Sequence, residues 1–129
     1  MKTPTLAAWA LLLGLCGPLL GADISGKWQS QFDSQIGVQK YVFTFKVDGE
    51  KLTGTAAGER TDDKSSVEIQ QGRVTKDGIF FIEPLTYQGQ DLVIEYTGRL
   101  SGENEISFTR KVGDFATEEI VAKRVVAAK

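Results

Sequence analysis

The chain has 129 residues, 41% hydrophobic and 25% charged, which is the profile of one globular domain and not of a disordered or fibrous chain. Its formal charge of −2 argues against a nucleic-acid binder, which needs a basic surface. There is no histidine, so Ser-His-Asp triads, Cys-His dyads and histidine-ligated metals are excluded, and the single cysteine, Cys16, leaves no internal disulfide.

Residues 1–22 have the layout of a secretory signal peptide: one positive charge at Lys2, an apolar run from Leu6 to Leu20, then the small residues Gly21 and Ala22. The run is too short for a transmembrane span and is interrupted by Gly14, Gly17 and Pro18. This predicts export to the periplasm or the medium, with a mature domain over residues 23–129 that begins at Asp23. The alternative is a lipoprotein start at Cys16, against which stands Leu15 where a small residue is expected. A mature chain without cysteine has to stand on its apolar core alone.

Alternation with period two dominates the rest and predicts eight strands. The first, residues 26–33, puts Trp28, Ser30 and Phe32 on one face. The second, 39–47, is the clearest, with Tyr41, Phe43, Phe45 and Val47 on one side, and Asp48-Gly49 then signals a hairpin. The third covers 51–57, and the polar stretch 58–66 reads as a loop. The fourth, 67–75, has a bulge expected near Gly72. After Lys76-Asp77-Gly78 a short fifth strand, 79–83, is stopped by Pro84. A loop carrying Tyr87 follows. The last three strands cover 91–100, 105–112 and 117–125.

Eight strands suit a small closed sheet. The turns after the second, fourth and sixth strands are tight, and the connections after the first, third and fifth are longer. An antiparallel up-and-down barrel puts these sets at opposite ends, one closed by hairpins and one open. The alternative is a two-sheet β-sandwich, which needs long crossovers that the sequence lacks.

Gly26-Lys27-Trp28 resembles the G-x-W opening of lipocalin-type, or calycin-like, barrels, whose tryptophan packs near the closed end against a basic residue of the last strand. Arg124 matches that residue. A closer resemblance covers nearly the whole mature chain. It rests on Ile36-Gly37-Val38-Gln39-Lys40-Tyr41, on Glu95-Tyr96-Thr97-Gly98 and on the run from Phe108 to Phe115. These segments resemble a mostly uncharacterised group of small exported bacterial proteins, some of whose relatives are fused to, or named after, glycoside hydrolases and xylanases. The resemblance implies a carbohydrate-processing context and assigns no catalytic residue.

Parity points Glu83, Arg110 and Glu118 inward near the open end, as a structural ion cluster or as a ligand site. Glu83 and Glu118 are also the candidates for a glycosidase pair, which needs two carboxylates roughly 5–10 Å apart. The run Glu59-Arg60-Thr61-Asp62-Asp63-Lys64 reads as a solvated loop and lacks a calcium-loop pattern. Most aromatics, Tyr41 and Tyr96 among them, read as core, whereas Phe32, Tyr87 and Phe115 sit beside loops of the open end. With Asp33, Gln35, Asp91 and Asp114 they complete the candidate binding surface, a mix of aromatic faces and hydrogen-bonding groups.

The leading expectation is an exported, non-catalytic barrel that binds a small molecule or a glycan, with no cofactor, no metal, no nucleic acid and no transmembrane span. A glycoside hydrolase or its accessory module is the second reading, and a structural envelope protein with a filled barrel the third.

Overall fold

In the computed structural model, which describes residues 24–61 and 63–125, strands make up the fold and no helix occurs among the described residues. The expected signal peptide, Cys16 and the expected start at Asp23 lie outside them. In chain order the strands are β1 (Gly26–Ser34), β2 (Gly37–Asp48), β3 (Lys51–Arg60), β4 (Asp63–Glu68), β5 (Gln70–Thr75), β6 (Gly78–Tyr87), β7 (Gln90–Gly102), β8 (Glu105–Val112) and β9 (Ala116–Arg124).

Every pairing is antiparallel, and successive strands are neighbours with one detour. Residues 55–60 of β3 pair with β4, whereas Lys51 and Leu52 pair with Arg73 and Gly72 of β5. The ring closes where β9 meets β1, at Lys123 opposite Gln29 and Arg124 opposite Trp28. The result is a closed eight-stranded antiparallel barrel with β4 as an extra strand, and the sandwich alternative is excluded. Among the described residues β4 has one ladder partner, β3.

Alternation explains the filling. Gln39, Tyr41, Phe43 and Phe45 of β2 all point inward and are buried. Tyr41, Phe43 and Phe45 form a stacked ladder with centroid spacings of 5.5 and 5.7 Å. Phe81 of β6 stacks on Tyr96 of β7 at 4.4 Å, and Phe108 of β8 meets both edge-on at 5.7 Å. Such offset and edge contacts are the favoured aromatic geometries, and they fill the barrel below its mouth.

Three sequence expectations are corrected. The described residues of the stretch 58–66 are mostly strand: β3 runs on to Arg60 and β4 begins at Asp63, and Arg60 folds inward and pairs with Asp63 at 3.3 Å. The expected fourth strand is split at Ile69 into β4 and β5, while the bulge expected near Gly72 is present: Gln71 takes a φ of 54° and the β5–β6 register shifts between Gln70 and Arg73. Pro84 does not stop β6, which continues to Tyr87. It lies beyond Ile82, the last β6 residue paired with β5, and proline is tolerated where one edge lacks a ladder.

The two ends also differ less than the connection lengths imply. At the end expected to carry long loops, β6 and β7 join through Gln88-Gly89 with φ of 51° and 83°, the double positive-φ signature of a tight hairpin. β1 and β2 join through Gln35-Ile36.

The opposite end is latched around Trp28, which is fully buried and donates its indole N–H to the Ile24 carbonyl at 2.9 Å. The Arg124 guanidinium lies 4.4 Å from the Trp28 ring centroid and donates to the Ser25 and Glu103 carbonyls and to Asn104 Oδ1. One side chain thus ties β9 to the segment before β1 and to the β7–β8 turn. We expect Trp28→Ala to destabilise by about 3–5 kcal/mol through the cavity it leaves, read as a lowered midpoint in chemical denaturation.

Candidate functional site at the barrel mouth

The mouth is built on a buried polar floor. Glu83 of β6 has no solvent exposure and accepts hydrogen bonds from two phenols: Tyr41 to Oε2 at 2.7 Å and Tyr96 to Oε1 at 2.8 Å. Each phenol oxygen accepts in turn from arginine. Arg110 of β8 donates from Nε to Tyr96 at 2.8 Å and from Nη2 to Tyr41 at 3.1 Å. Arg60 donates from Nη1 to Tyr41 at 3.1 Å.

Sheet register assembles this set. Tyr96 lies opposite both Phe81 and Arg110, and Tyr41 lies opposite Gly58. A Cβ on Gly58 would sit 2.7 Å from the Tyr41 ring, so glycine there gives the ring its seat against β3. The Arg110 guanidinium also lies 5.1 Å from the Phe32 ring centroid, and Phe32 stacks on Tyr41 at 6.0 Å.

The two arginines have carboxylates nearer the surface. Arg110 Nη1 pairs with Glu118 of β9 at 2.8 Å, while Glu83 is at the limit of an ion pair, 4.0 Å from Nη2. Arg60 pairs with Asp63 and donates to Ser65 Oγ at 2.7 Å.

Burial governs the proton affinities here. It pushes the Glu83 carboxyl above the ordinary range, against the opposing pull of the two phenol donors and Arg110. Burial, with the Glu83 charge beside it, raises Tyr41 to about 12, and Tyr96 is raised well above its ordinary value by the same two causes. Both phenols therefore stay protonated at neutral pH and remain donors.

Above this floor is a cavity of about 470 Å³. Its polar lining includes Ser34, Gln35, Gln39, Gln88 and Gln90, its charged lining Arg60, Arg110 and Glu118, and its apolar lining Leu85, Tyr87, Leu92 and Phe115. Gln39 is 4% exposed and donates from Nε2 to Ser34 Oγ at 2.9 Å. Its Oε1 is buried without a hydrogen-bond partner.

Of the residues singled out from sequence, Glu83, Arg110, Glu118 and Phe32 share the floor, and Gln35, Tyr87 and Phe115 line the cavity. Asp33, Asp91 and Asp114 do not join them. Asp33 is exposed because its neighbour Phe32 takes the inward position, Asp91 accepts from Thr86 Oγ1 at 2.7 Å on the surface, and Asp114 is exposed in the β8–β9 turn. Arg60, read as part of a solvated loop, is buried, and Tyr41 and Tyr96, read as core, carry the polar floor. Gln39, Ser34, Gln88 and Gln90 were not legible as site residues, although Gln39 shares the parity of Tyr41 and was available from that signal.

Asp62 lies outside the described residues, among which no group of three or more acidic, His or Cys side chains is placed to hold a metal ion. Comparison with protein-family models, curated proteins and solved structures gives no match to this chain.

Two predictions follow from the floor. Arg110→Ala removes the partner of two carboxylates and should destabilise by about 3–5 kcal/mol, measured by denaturant titration. For Glu83 the sign is set by its raised folded-state pKa. The stabilisation is fully present below the unfolded value of about 4.3 and is lost as pH rises through the folded value. The stability of the wild type relative to Glu83→Gln should therefore fall as pH increases from about 4 toward neutral. A difference that is flat or rises with pH contradicts the assignment.

Proposed function

We propose that the protein is an exported, non-catalytic β-barrel that takes a small molecule or a glycan at its mouth, in a carbohydrate-processing context. The observation that carries this reading is Gln39, a buried amide whose Oε1 has no partner and whose side chain borders the mouth cavity. An unsatisfied buried acceptor costs about 1–3 kcal/mol, and turning the amide toward the cavity it borders would let a ligand hydroxyl or amide recover it. Aromatic and leucine surfaces beside glutamine amides suit a ring with one apolar face and hydroxyls at its edge.

The packed aromatic interior fills the depth of the barrel, which supports a ligand position at the mouth. It also gives the filled structural barrel its support, but that reading leaves the Gln39 acceptor without a purpose. The glycoside hydrolase reading is disfavoured because both Glu83 oxygens are held by phenols and its side chain is sealed from the cavity. An acid or base must reach the glycosidic oxygen or a water beside it. Kinship with the lipocalin-like exported group belongs to the same proposal, supported by Arg124 stacked on Trp28 of the Gly26-Lys27-Trp28 opening.

A native mass-spectrometry screen of the mature protein against soluble oligosaccharides tests the reading, with Gln39→Leu as its control. The variant should melt at or above the wild-type temperature, because it removes an unsatisfied acceptor, and should bind about tenfold more weakly, the value of one hydrogen bond near 1.4 kcal/mol. Equal binding by both proteins would move the site away from the mouth. A Gln39→Leu protein that melts far below the wild type would make Gln39 structural.

A further inference from the structure

We propose that Glu118 fills the anion-binding position of Arg110, so that the mouth refuses carboxylate and phosphate ligands and accepts uncharged ones. This rests on the mouth being the ligand site, and it adds the charge class of the ligand and the residue that sets it.

Arg110 gives Nε to Tyr96 and Nη2 to Tyr41 on the floor, and it gives Nη1 to the mouth side. That donor is held by Glu118 Oε1 at 2.8 Å, and the Glu118 side chain is 16% exposed against 2% for Arg110. Glu118 therefore stands between the guanidinium and solvent, where an incoming carboxylate or phosphate would otherwise dock in the geometry arginine favours.

The second cation is closed in the same way. Arg60 is engaged by Asp63, Tyr41 and Ser65. Among the described residues no lysine lines the cavity, and both of its arginines are paired with carboxylates. What the cavity offers instead is neutral: four glutamine amides, Gln35, Gln39, Gln88 and Gln90, with the unpartnered Gln39 Oε1 asking for a donor. Amides pair with hydroxyls in both directions and carry no charge to be matched.

Formate, acetate and inorganic phosphate are the probes, each compared with chloride at equal ionic strength. Two signals are read: the melting temperature and the Arg110 Nε–H resonance. The wild-type Arg110 resonance should stay fixed in all four salts, and any change in its melting temperature should follow the general salt series without saturating. Glu118→Ala should melt several degrees lower in chloride and recover in formate or acetate. The recovery should saturate, and the Arg110 resonance should move along the same concentration curve. If this variant is unfolded in chloride, refolding on addition of formate is the readout, with Glu118→Ser as the milder substitution in the same series.

A wild-type Arg110 resonance that titrates with formate or phosphate overturns the proposal, as does a Glu118 variant that no small anion restores. Formate rescue in the variant, together with failure of every oligosaccharide to bind the wild type, would leave Glu118 in its assigned place and remove the binding reading instead.

Discussion

Glu83 has no contact with solvent, and both of its oxygens are matched by phenol donors whose own oxygens are matched by guanidinium donors. A bare carboxylate in this position would be prohibitively unfavourable. Its presence accounts for the identities of a whole layer: tyrosine instead of phenylalanine at 41 and 96, arginine instead of an aliphatic residue at 110, and a second arginine reaching in from the end of β3. Gly58 completes the layer by leaving room for the Tyr41 ring. The aromatic stack below depends on this layer, since Tyr41 and Tyr96 belong to both.

The same layer divides the barrel into two chemistries. Below it the rings of Phe43, Phe45, Phe81 and Phe108 pack against one another and fill the barrel with apolar surface. Above it the wall turns to amides and half-exposed apolar side chains. Arg110 belongs to both sides, as a partner for Glu83 and as a wall of the mouth. A change there alters stability and recognition together, whereas Gln39, with a single partner in Ser34, allows the two to be separated.

Much of the architecture was legible because side-chain alternation is a direct image of a barrel wall. Residues 39–47 show this best, and the inward parity of Glu83, Arg110 and Glu118 came from the same signal. What was missed has specific causes. Arg60 sits within a run of charges, and nothing local distinguishes an inward arginine from its solvated neighbours until the β3–β4 register is known. Pro84 looked like a terminator because the absence of a partner on one edge of β6 is a property of the sheet and not of the segment. Gln88-Gly89 makes a tight hairpin with a positive φ at a glutamine, a residue that carries no turn signal. Tyr41 and Tyr96 look like core in any pattern of hydrophobicity, and only their cross-strand neighbours reveal the work of their hydroxyls.

Among the described residues the six-residue β4 is bonded along one side, to β3. An open strand edge is a template for pairing with another chain. Here the edge is short, and its outward residues, Lys64, Ser66 and Glu68, alternate charge with a hydroxyl. These features make it a poor surface for edge-to-edge association. Its inward side is clasped by Arg60 through Asp63 and Ser65. Peeling β4 away would therefore release Arg60 from two partners and loosen its hold on Tyr41, so the resistance of this edge to aggregation is tied to the integrity of the polar floor.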